Sequence, residues 1–316
     1  KILIFMEIVI IVIIWKIYKV LKKKILLLTG TSGFIGYKFL SYALLNNFTV
    51  IDILRMKNKK NIKIKKLRSV YPKRYKNIFF SNNDDLFKKL KNIKIDHFIN
   101  FATLYSSSHS YNQINNFVNS NILFPTLVYD LINNKVKKII NFGSMMQHSK
   151  NKLLTSNNLY AATKNAFEMI SNYYAITNNK TKFYNIKFYE SFGENDKRKK
   201  IIPTIINNYK KKIVTKILSK KLSLNIIHTD DIINAIMVLL DNNIKSGSYC
   251  IKNTQNIKIY DLINSLNKEL VVKIKVKYGN KSTTSNYQNN LKILPKWRPI
   301  NNLESKIFKT IRNETN

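Results

Sequence analysis

Cysteine, histidine and glycine are scarce in this chain of 316 residues, which contains one cysteine, four histidines and seven glycines. The single cysteine, Cys250, excludes a disulfide framework within the chain. The histidines are scattered without the spacing of metal ligands, so no metal site is expected. The chemistry of this protein must therefore come from hydroxyl groups, amines or a bound cofactor.

Acidic residues and arginines are also few. The chain has 17 Asp and Glu against 55 Lys and Arg, a formal net charge of +38, and only six of the basic residues are arginines. A nucleic-acid binder would cluster its charge and use arginine for bidentate contacts, whereas lysine here is spread through all segments. We interpret the charge as a drift of composition and expect no nucleic-acid partner, although the field attracts anionic ligands.

The first 23 residues form an apolar and then basic extension. The apolar part is shorter than a span of about 20 residues, and the lysines after it favour the cytoplasmic side. Two interpretations stay open: an anchor that contacts the membrane through residues 2–21, or a start assigned too far upstream. No small-residue cleavage site follows, so we expect a cytoplasmic protein, either free or attached to the inner face of the membrane.

Three of the seven glycines stand at a spacing of three in "TGTSGFIG", as Gly30, Gly33 and Gly36. An aliphatic run, "KILLLTG", precedes them, and "YKFLSYALLNN", with a helical period, follows. In a strand–turn–helix unit, such glycines allow a sharp turn, close approach to a pyrophosphate, and tight packing of helix on strand. The phosphates then lie on the helix N-terminus. The motif predicts a dinucleotide-binding turn, with a plain tight turn as the alternative.

The second strand, "TVIDILR", should end beside the adenosine ribose. An acid there binds the 2′-hydroxyl group of NAD, whereas an arginine can bind the 2′-phosphate of NADP. Asp52 falls inside the predicted strand, and Leu54 and Arg55 fall at its tip. This favours NADP slightly, while NAD and a merely solvated Arg55 both stay open.

Strands and helices continue to alternate along the chain, which predicts an α/β fold with a doubly wound parallel Rossmann sheet. Ligands bind such sheets at the carboxyl ends of the strands. The predicted segments, alternately strand and helix, are "HFINFAT", "FVNSNILFPTLVYDLINN", "VKKIINFGS", "NLYAATKNAFEMISNYYAI" and "FYNIKFYESFG".

Ser144 ends one of these strands, and Tyr160 and Lys164 begin the next helix in "YAATK". Residues at i and i+4 share a helical face, so the ammonium group can lie near the phenol. A nearby cation lowers the pKa of a tyrosine from about 10. We therefore expect Tyr160 to act as an acid and base near neutral pH, with Ser144 bonded to the same substrate oxygen.

The motifs "TGTSGFIG", "NFAT", "NSNILFP", "NFGS", "YAATK" and "FYESFG" together resemble the extended short-chain dehydrogenase/reductases. The resemblance is to the NAD-dependent epimerase/dehydratase family of nucleotide-sugar enzymes, and it runs from residue 24 to about residue 300. "NFATLYSSS", "MMQHSKN", "NLYAATKNAFE" and "YESFGENDKRKKIIP" are further similar to the subgroup containing CDP-abequose and paratose synthases. Those enzymes reduce CDP-4-keto-3,6-dideoxyhexoses for surface polysaccharides.

The resemblance implies a catalytic triad of Ser144, Tyr160 and Lys164, in which Lys164 also bonds the nicotinamide ribose and Asn121 supports the site. It also implies a homodimer. The predicted cofactor contacts are Gly30, Ser32, Gly33, Phe34, Ile35, Gly36, Arg55, Ala102, Asn121, Tyr160 and Lys164. The predicted substrate contacts are Thr103, Ser144, Met145 and Arg198.

Several positions depart from the family pattern. The 4,6-dehydratases of the family carry an Asp-Glu pair after the catalytic Ser or Thr, where this chain has Met145 and Met146. Many epimerases place an arginine for the substrate diphosphate where Leu224 stands. The run Arg198–Lys200 must replace it or is a solvated loop. His148 is either an extra proton donor or, as we prefer, a loop histidine without that task.

The segments after Gly193 no longer alternate regularly and suggest a smaller lobe. We divide the chain into a Rossmann domain at 24–190, to which 225–245 return, and a substrate-binding lobe at 191–224 and 246–316. The expected function is oxidoreduction or epimerisation at C4 of a nucleotide sugar with NAD(P). The alternatives are a 4,6-dehydratase and a catalytically inactive ligand-binding protein of the same fold.

Overall fold

The computed structural model describes residues 24–148, 155–280, 291–300 and 302–315. The predicted N-terminal extension, residues 1–23, lies outside the described residues. Within the described ranges, no helix is long and apolar enough to cross a membrane.

The centre of the fold is a sheet of seven parallel strands in the order β3-β2-β1-β4-β5-β6-β11. The order reverses between β1 and β4, which is the switch point where ligands bind such sheets. The strands are β1 (Ile25–Thr29), β2 (Thr49–Arg55), β3 (Tyr75–Phe80), β4 (His97–Asn100), β5 (Lys138–Phe142), β6 (Lys182–Lys187), β7 (Glu190–Phe192), β8 (Thr215–Ile217), β9 (Ser223–Leu224), β10 (Ile226–His228), β11 (Gly247–Cys250), β12 (Ile257–Lys258) and β13 (Val276–Tyr278).

Helices cover both faces of this sheet, which confirms the predicted doubly wound α/β class. The buried side chains of α1, α2 and α8 pack on one face, and those of α3, α5 and α6 pack on the other. The helices are α1 (Phe34–Leu45), α2 (Ile62–Val70), α3 (Asn83–Leu90), α4 (Ile114–Val118), α5 (Phe124–Ile132), α6 (Leu159–Thr177), α7 (Ile201–Lys210), α8 (Thr229–Asp241), α9 (Ile259–Glu269) and α10 (Leu303–Thr315).

The predicted strand "FYNIKFYESFG" is wrong as a single element. The chain leaves the central sheet after β6, and β7 pairs with β10 instead. The two residues between β6 and β7, Phe188 and Tyr189, line a large cavity. The apolar run therefore continues beyond the end of the strand, because Phe188 still packs against the cluster under the sheet and Phe192 is buried in the cluster of the lobe.

A separate hydrophobic cluster forms the smaller lobe, with buried side chains from α7, α9 and α10. The predicted extent of this lobe, 246–316, is too large. β11 joins the central sheet by pairing with β6, and Leu294 and Trp297 pack in the cluster under that sheet. The indole of Trp297 donates a hydrogen bond of 3.0 Å to the carbonyl of Asp231, which fixes the tail there.

A row of buried polar side chains, which we call the amide ladder, crosses four strands of the sheet. Thr29 Oγ1 donates to Asn100 Oδ1 (2.7 Å), Asn100 Nδ2 to Asn141 Oδ1 (2.9 Å), and Asn141 Nδ2 to Asn185 Oδ1 (3.2 Å). The members lie directly beside one another in the strand register. Each side chain thus supplies a hydrogen-bond partner to its neighbour in a region from which water is excluded.

Asp52 is buried in the interior of β2. Its Oδ2 accepts hydrogen bonds from Thr31 Oγ1 (2.5 Å) and from the hydroxyl of Tyr75 (2.7 Å). Burial raises the pKa of Asp52 to about 7, although both hydrogen bonds act in the opposite direction. Asp52 is therefore a carboxyl group that the fold holds partly protonated at neutral pH.

Asp52→Asn should make the protein more stable at pH 8 than the wild type. Because the folded-state pKa of Asp52 lies above its unfolded value, the folded state holds this proton longer, and the stability that it confers is lost as pH rises from about 4 to about 7. The difference in free energy of unfolding should be about 2–4 kcal/mol at pH 8 and should vanish near pH 4. Urea unfolding of both proteins across this range measures it, and parallel pH curves would contradict the assignment.

Candidate active site

A cavity of about 1190 Å³ lies at the carboxyl ends of the central strands and extends under the lobe. Its volume exceeds the range of about 300–1,000 Å³ that is usual for small-ligand pockets. Every predicted site residue lines it except Asn121, namely Gly30, Ser32, Gly33, Phe34, Ile35, Gly36, Arg55, Ala102, Thr103, Ser144, Met145, Tyr160, Lys164 and Arg198.

The glycine turn forms one end of this cavity. Gly30 has a φ of +72°, and a Cβ there would lie 2.4 Å from the backbone nitrogen of Ala102. A Cβ on Gly36 would lie 2.4 Å from the carbonyl oxygen of Gly30. Gly33 precedes α1 as its N-cap, with no side chain capping the first turn. The free N–H groups of that turn and the helix dipole make a cradle that fits the pyrophosphate of a dinucleotide.

The end of β2 forms the next part of the wall. Arg55 is the first exposed residue of that strand, and Met56, Lys57 and Asn58 follow it along the cavity. Glu190 is the only carboxylate among the described residues of the lining, and it belongs to β7. No acid therefore stands at the tip of β2, where an NAD-type ribose contact is expected.

Tyr160 lies in the first turn of α6, which Asn158 caps by accepting a 2.9 Å hydrogen bond from the N–H of Ala161. The hydroxyl groups of Ser144 and Thr103 lie close enough to that of Tyr160 to act on its pKa in the lowering direction. The structure thus brings together three hydroxyl groups from three different elements at one point of the cavity. A carbonyl oxygen of a ligand can accept a hydrogen bond there, and a hydroxyl group of a ligand can accept or donate one.

Tyr105 closes this point from the side, because its ring meets that of Tyr160 edge-on with centroids 5.0 Å apart. Sequence reasoning missed Tyr105, although it lies within the stretch "NFATLYSSS" that carries the family resemblance. It follows a strand in an irregular loop, where no periodicity marks a functional side chain.

Lys164 lines the same cavity one helical turn after Tyr160. Its ammonium group donates a 2.8 Å hydrogen bond to the carbonyl of Phe142, and burial lowers its pKa to about 8. The expected lowering of the Tyr160 pKa is wrong for this structure. Burial, and then Tyr105, raise that pKa above its ordinary value, and Lys164 is not among its causes. The reason is that the ammonium group is drawn to a strand-end carbonyl while the phenol is excluded from water.

Ser144 is held by a buried network behind the cavity wall. Its N–H donates to Gln147 Oε1 (2.8 Å), and Gln147 Nε2 donates to Asn165 (2.7 Å) and Glu168 (2.8 Å). Glu168 in turn forms a buried ion pair of 2.7 Å with Lys187 on β6. The network connects the turn after β5, helix α6 and strand β6, so it fixes where Ser144 stands relative to Tyr160.

His148 belongs to this network and not to the cavity lining. Its Nε2 lies 2.9 Å from Nζ of Lys187, and the residue is 2% exposed. Burial, and then the charge of Lys187, lower the pKa of His148 to about 4. A neutral imidazole that accepts from Lys187 fits the interpretation without a catalytic task.

Asn121 stands behind the site in a π-helical turn (Asn119–Leu123), a feature that is frequent at functional sites. Its side chain accepts from the N–H of Leu104 (2.7 Å) and donates to Thr163 Oγ1 (3.0 Å). It ties the loop after β4 to α6. This geometry fits the prediction that Asn121 supports the active site from behind. It does not fit the prediction that Asn121 contacts the cofactor directly, because Asn121 does not line the cavity.

The basic run Arg198–Lys200 is divided by the fold. Arg198 and Lys200 line the cavity, and Lys199 does not. Arg198 donates to both oxygens of Asp196 (2.8 and 2.6 Å) and lies over the ring of Phe34 at 4.6 Å. Lys200 pairs with Glu190 at 2.9 Å. Both cations are held in place by a carboxylate, so a diphosphate would meet them already oriented.

Comparison with known proteins agrees with this geometry. A parallel sheet with a glycine turn after its first strand defines a dinucleotide-binding type of α/β fold, and the model of the NAD dependent epimerase/dehydratase family matches residues 26–251. The chain belongs to this family. It is therefore an NAD-dependent enzyme of the epimerase/dehydratase type.

Individual relatives are distant. The chain is 25% identical to the CDP-abequose synthase of Yersinia pseudotuberculosis over 248 residues, which are 78% of this chain and 82% of that protein. Among solved structures, UDP-glucuronic acid 4-epimerase from Bacillus cereus shares the fold at a TM-score of 0.75 and 18% identity, covering 92% of this chain and 99% of that one. The dTDP-glucose 4,6-dehydratase of Bacillus anthracis does so at 0.73 and 18%, covering 92% and 96%.

Gly36→Ala should weaken dinucleotide binding and destabilise the fold. The added Cβ would press on the backbone of Gly30, which cannot move without displacing the turn from Ala102. We expect dinucleotide affinity to fall at least about tenfold, a loss of one oriented charge-assisted contact or more. Ser41→Ala is the control, because Ser41 lies on the same helix and does not line the cavity. Equal effects of both substitutions on binding would count against the cradle.

Proposed function

We propose that this protein is an NAD(P)H-dependent oxidoreductase, with a slight preference for NADPH, that reduces the C4 ketone of a nucleotide-bound deoxyhexose. The observation that carries the proposal is the convergence of Ser144 and Thr103 on a buried Tyr160, in a cavity whose next two wall residues are methionines. The distant likeness to CDP-abequose synthase supports it. A C4 epimerase is the runner-up.

The state of Tyr160 favours reduction over oxidation as the first step. A bound reduced nicotinamide dinucleotide supplies the hydride that C4 of a keto sugar accepts. Burial holds Tyr160 as the neutral phenol, so the phenol can donate its proton to the C4 oxygen while Ser144 hydrogen-bonds the same atom. Oxidation of a 4-hydroxyl group, with which epimerisation begins, requires Tyr160 as the phenolate, a form that burial disfavours at neutral pH.

The walls beside Tyr160 support a hexose with few hydroxyl groups and argue against dehydration. Met145 is almost fully buried, and Met146 and Leu224 also line the cavity. These side chains offer no hydrogen bond to a sugar hydroxyl, so deoxy positions fit them better. A 4,6-dehydratase needs an acid and a base after the catalytic serine, and methionine can be neither.

Arg198 and Lys200 are the cations that we assign to the diphosphate of the substrate. Arg198 connects the glycine turn with the lobe. Its guanidinium group lies over the ring of Phe34, which follows the turn, and donates hydrogen bonds to Asp196 and Ser191. Nε and Nη2 of Arg198 are already bonded to Asp196 and Ser191, so the group would act on a phosphate mainly through its positive charge. These two residues thereby take the place of the arginine that many epimerases carry at the position of Leu224.

The oligomeric state and location of the protein stay predictions. We retain the homodimer, which is supported by three exposed apolar side chains on one face of α6: Met169, Tyr173 and Ile176. Their spacing of four and three residues places them on one stripe. We also retain the cytoplasmic location.

A panel of nucleotide-bound 4-keto and 4-hydroxy hexoses tests the proposal directly. We expect NADPH oxidation with 4-keto-deoxyhexoses and no net cofactor turnover with 4-hydroxy sugars. Interconversion of 4-hydroxy epimers at constant cofactor would identify the epimerase instead, and release of water from a 4-hydroxy sugar would identify the dehydratase.

Tyr160→Phe should lower kcat by about 10² to 10⁴ without changing dinucleotide affinity. The substitution removes the proton donor, whose usual contribution is of this size, and leaves the glycine turn intact. Tyr173→Phe, an exposed tyrosine on the same helix, is the control. Steady-state kinetics and cofactor titration measure the two quantities, and near-normal turnover of Tyr160→Phe would refute the assignment.

Arg55→Ser should weaken NADPH binding by about tenfold and leave NADH binding unchanged. Arg55 is the first exposed side chain after the buried part of β2, and one charge-assisted contact to a phosphate accounts for a change of this size. Arg68→Ser, at an exposed position of α2, is the control. Equal loss of affinity for both dinucleotides would show that Arg55 does not select between them.

A further inference from the structure

The glycine turn rests on a buried carboxyl group that the proposed chemistry does not use. Thr31 lies inside the turn, is fully buried, and donates its hydroxyl hydrogen bond to Asp52 at 2.5 Å. Tyr75 on β3 donates to the same oxygen at 2.7 Å. The second oxygen, Oδ1, is buried without a hydrogen-bond partner. Asp52 is thus fastened to the cofactor turn through one oxygen only.

The charged groups around Asp52 do not neutralise the negative charge that its carboxylate would carry. Tyr75 is the titratable group in contact, and burial followed by the charge of Asp52 raises its pKa, so it stays neutral. Arg55 at the end of β2 and the basic residues of α2 are exposed to solvent, and Lys38 on α1 pairs with Glu194. No ion pair to Asp52 is formed by the part of the chain that the structure describes.

We propose that Asp52 is a positioning residue of the cofactor turn and that the dinucleotide binds with uptake of a proton by this carboxyl group. The inference rests on the proposed dinucleotide site. An ionised Asp52 would place an uncompensated charge in a medium of low dielectric directly under a turn that receives a pyrophosphate, and like charges there repel strongly. Binding therefore selects the neutral acid.

Protonation leaves the turn in place because of the arrangement of the two oxygens. Oδ2 accepts both hydroxyl groups, while Oδ1 has no partner and can carry the proton. The charge disappears without loss of the Thr31 contact. Because burial raises the pKa of Asp52 to about 7, the carboxyl group loses its proton as pH rises above 7. Dinucleotide affinity should then fall.

Dinucleotide titrations between pH 6 and pH 8.5 test this in the full-length wild type, Asp52→Asn and Asp261→Asn, an exposed acid in the lobe. The wild-type Kd should rise about fivefold from pH 6 to pH 8 relative to Asp52→Asn, and Asp261→Asn should follow the wild type. NADH is titrated beside NADPH, because the 2′-phosphate itself ionises near pH 6. Asp52→Asn keeps an oxygen that accepts from Thr31 and Tyr75.

Calorimetry of the wild type in two buffers of different ionisation enthalpy gives a second measurement that needs no variant. We expect uptake of about half a proton per dinucleotide at pH 7.5. Tyr75→Phe removes one donor to the carboxylate and should move the fall in affinity to higher pH. Equal pH slopes in the wild type and Asp52→Asn, or binding without proton uptake, would overturn the inference alone. Absence of dinucleotide binding at every pH would overturn the proposed site and this inference with it.

Discussion

The close approach of two backbones at the switch point of the sheet is the constraint on which the site depends. The turn after β1 passes so near the chain after β4 that a Cβ at Gly30 would overlap Ala102, and α1 can follow only because Gly36 has no side chain. This contact places the N-terminus of α1 beside the loop that carries Thr103. The anion cradle and the hydroxyl cluster are therefore parts of one packing arrangement rather than two independent sites.

The buried ion pair between Glu168 and Lys187 has a similar effect on the other half of the site. A buried pair contributes little net stability compared with apolar side chains of equal volume, but the loss of one partner costs about 3–5 kcal/mol. The ion pair fixes the orientation of Glu168. Glu168 accepts a hydrogen bond from Gln147, and Gln147 in turn accepts one from the N–H of Ser144. A lysine in a lysine-rich chain thus has a defined structural task when it is buried.

Local patterns predicted five of the seven central strands and the cofactor turn, because a buried strand, three spaced glycines and an amphipathic helix are each recognisable from neighbouring residues. They did not predict the two edge strands, β3 and β11. Local patterns did not predict features that depend on contacts between residues far apart in the sequence. The direction in which Lys164 points depends on the carbonyl of Phe142, 22 residues earlier. The pKa of Tyr160 depends on its burial and on the neighbouring Tyr105, which is 55 residues earlier in the chain. Gln147 and the split between β6 and β7 left no periodic signal for the same reason.

The amide ladder limits how far neighbouring strands can slide past one another. Thr103 follows β4 and Ser144 follows β5, so the relative height of these two strands sets the separation of two hydroxyl groups that meet at Tyr160. Main-chain hydrogen bonds of a parallel sheet would re-form after a slip in register, since they repeat along the strand. The side-chain bonds of Asn100, Asn141 and Asn185 would not, because each has one partner at one level. The ladder therefore prevents a slip in register between these strands. Asparagine is common throughout the chain, but these three asparagines fix the relative positions of active-site residues.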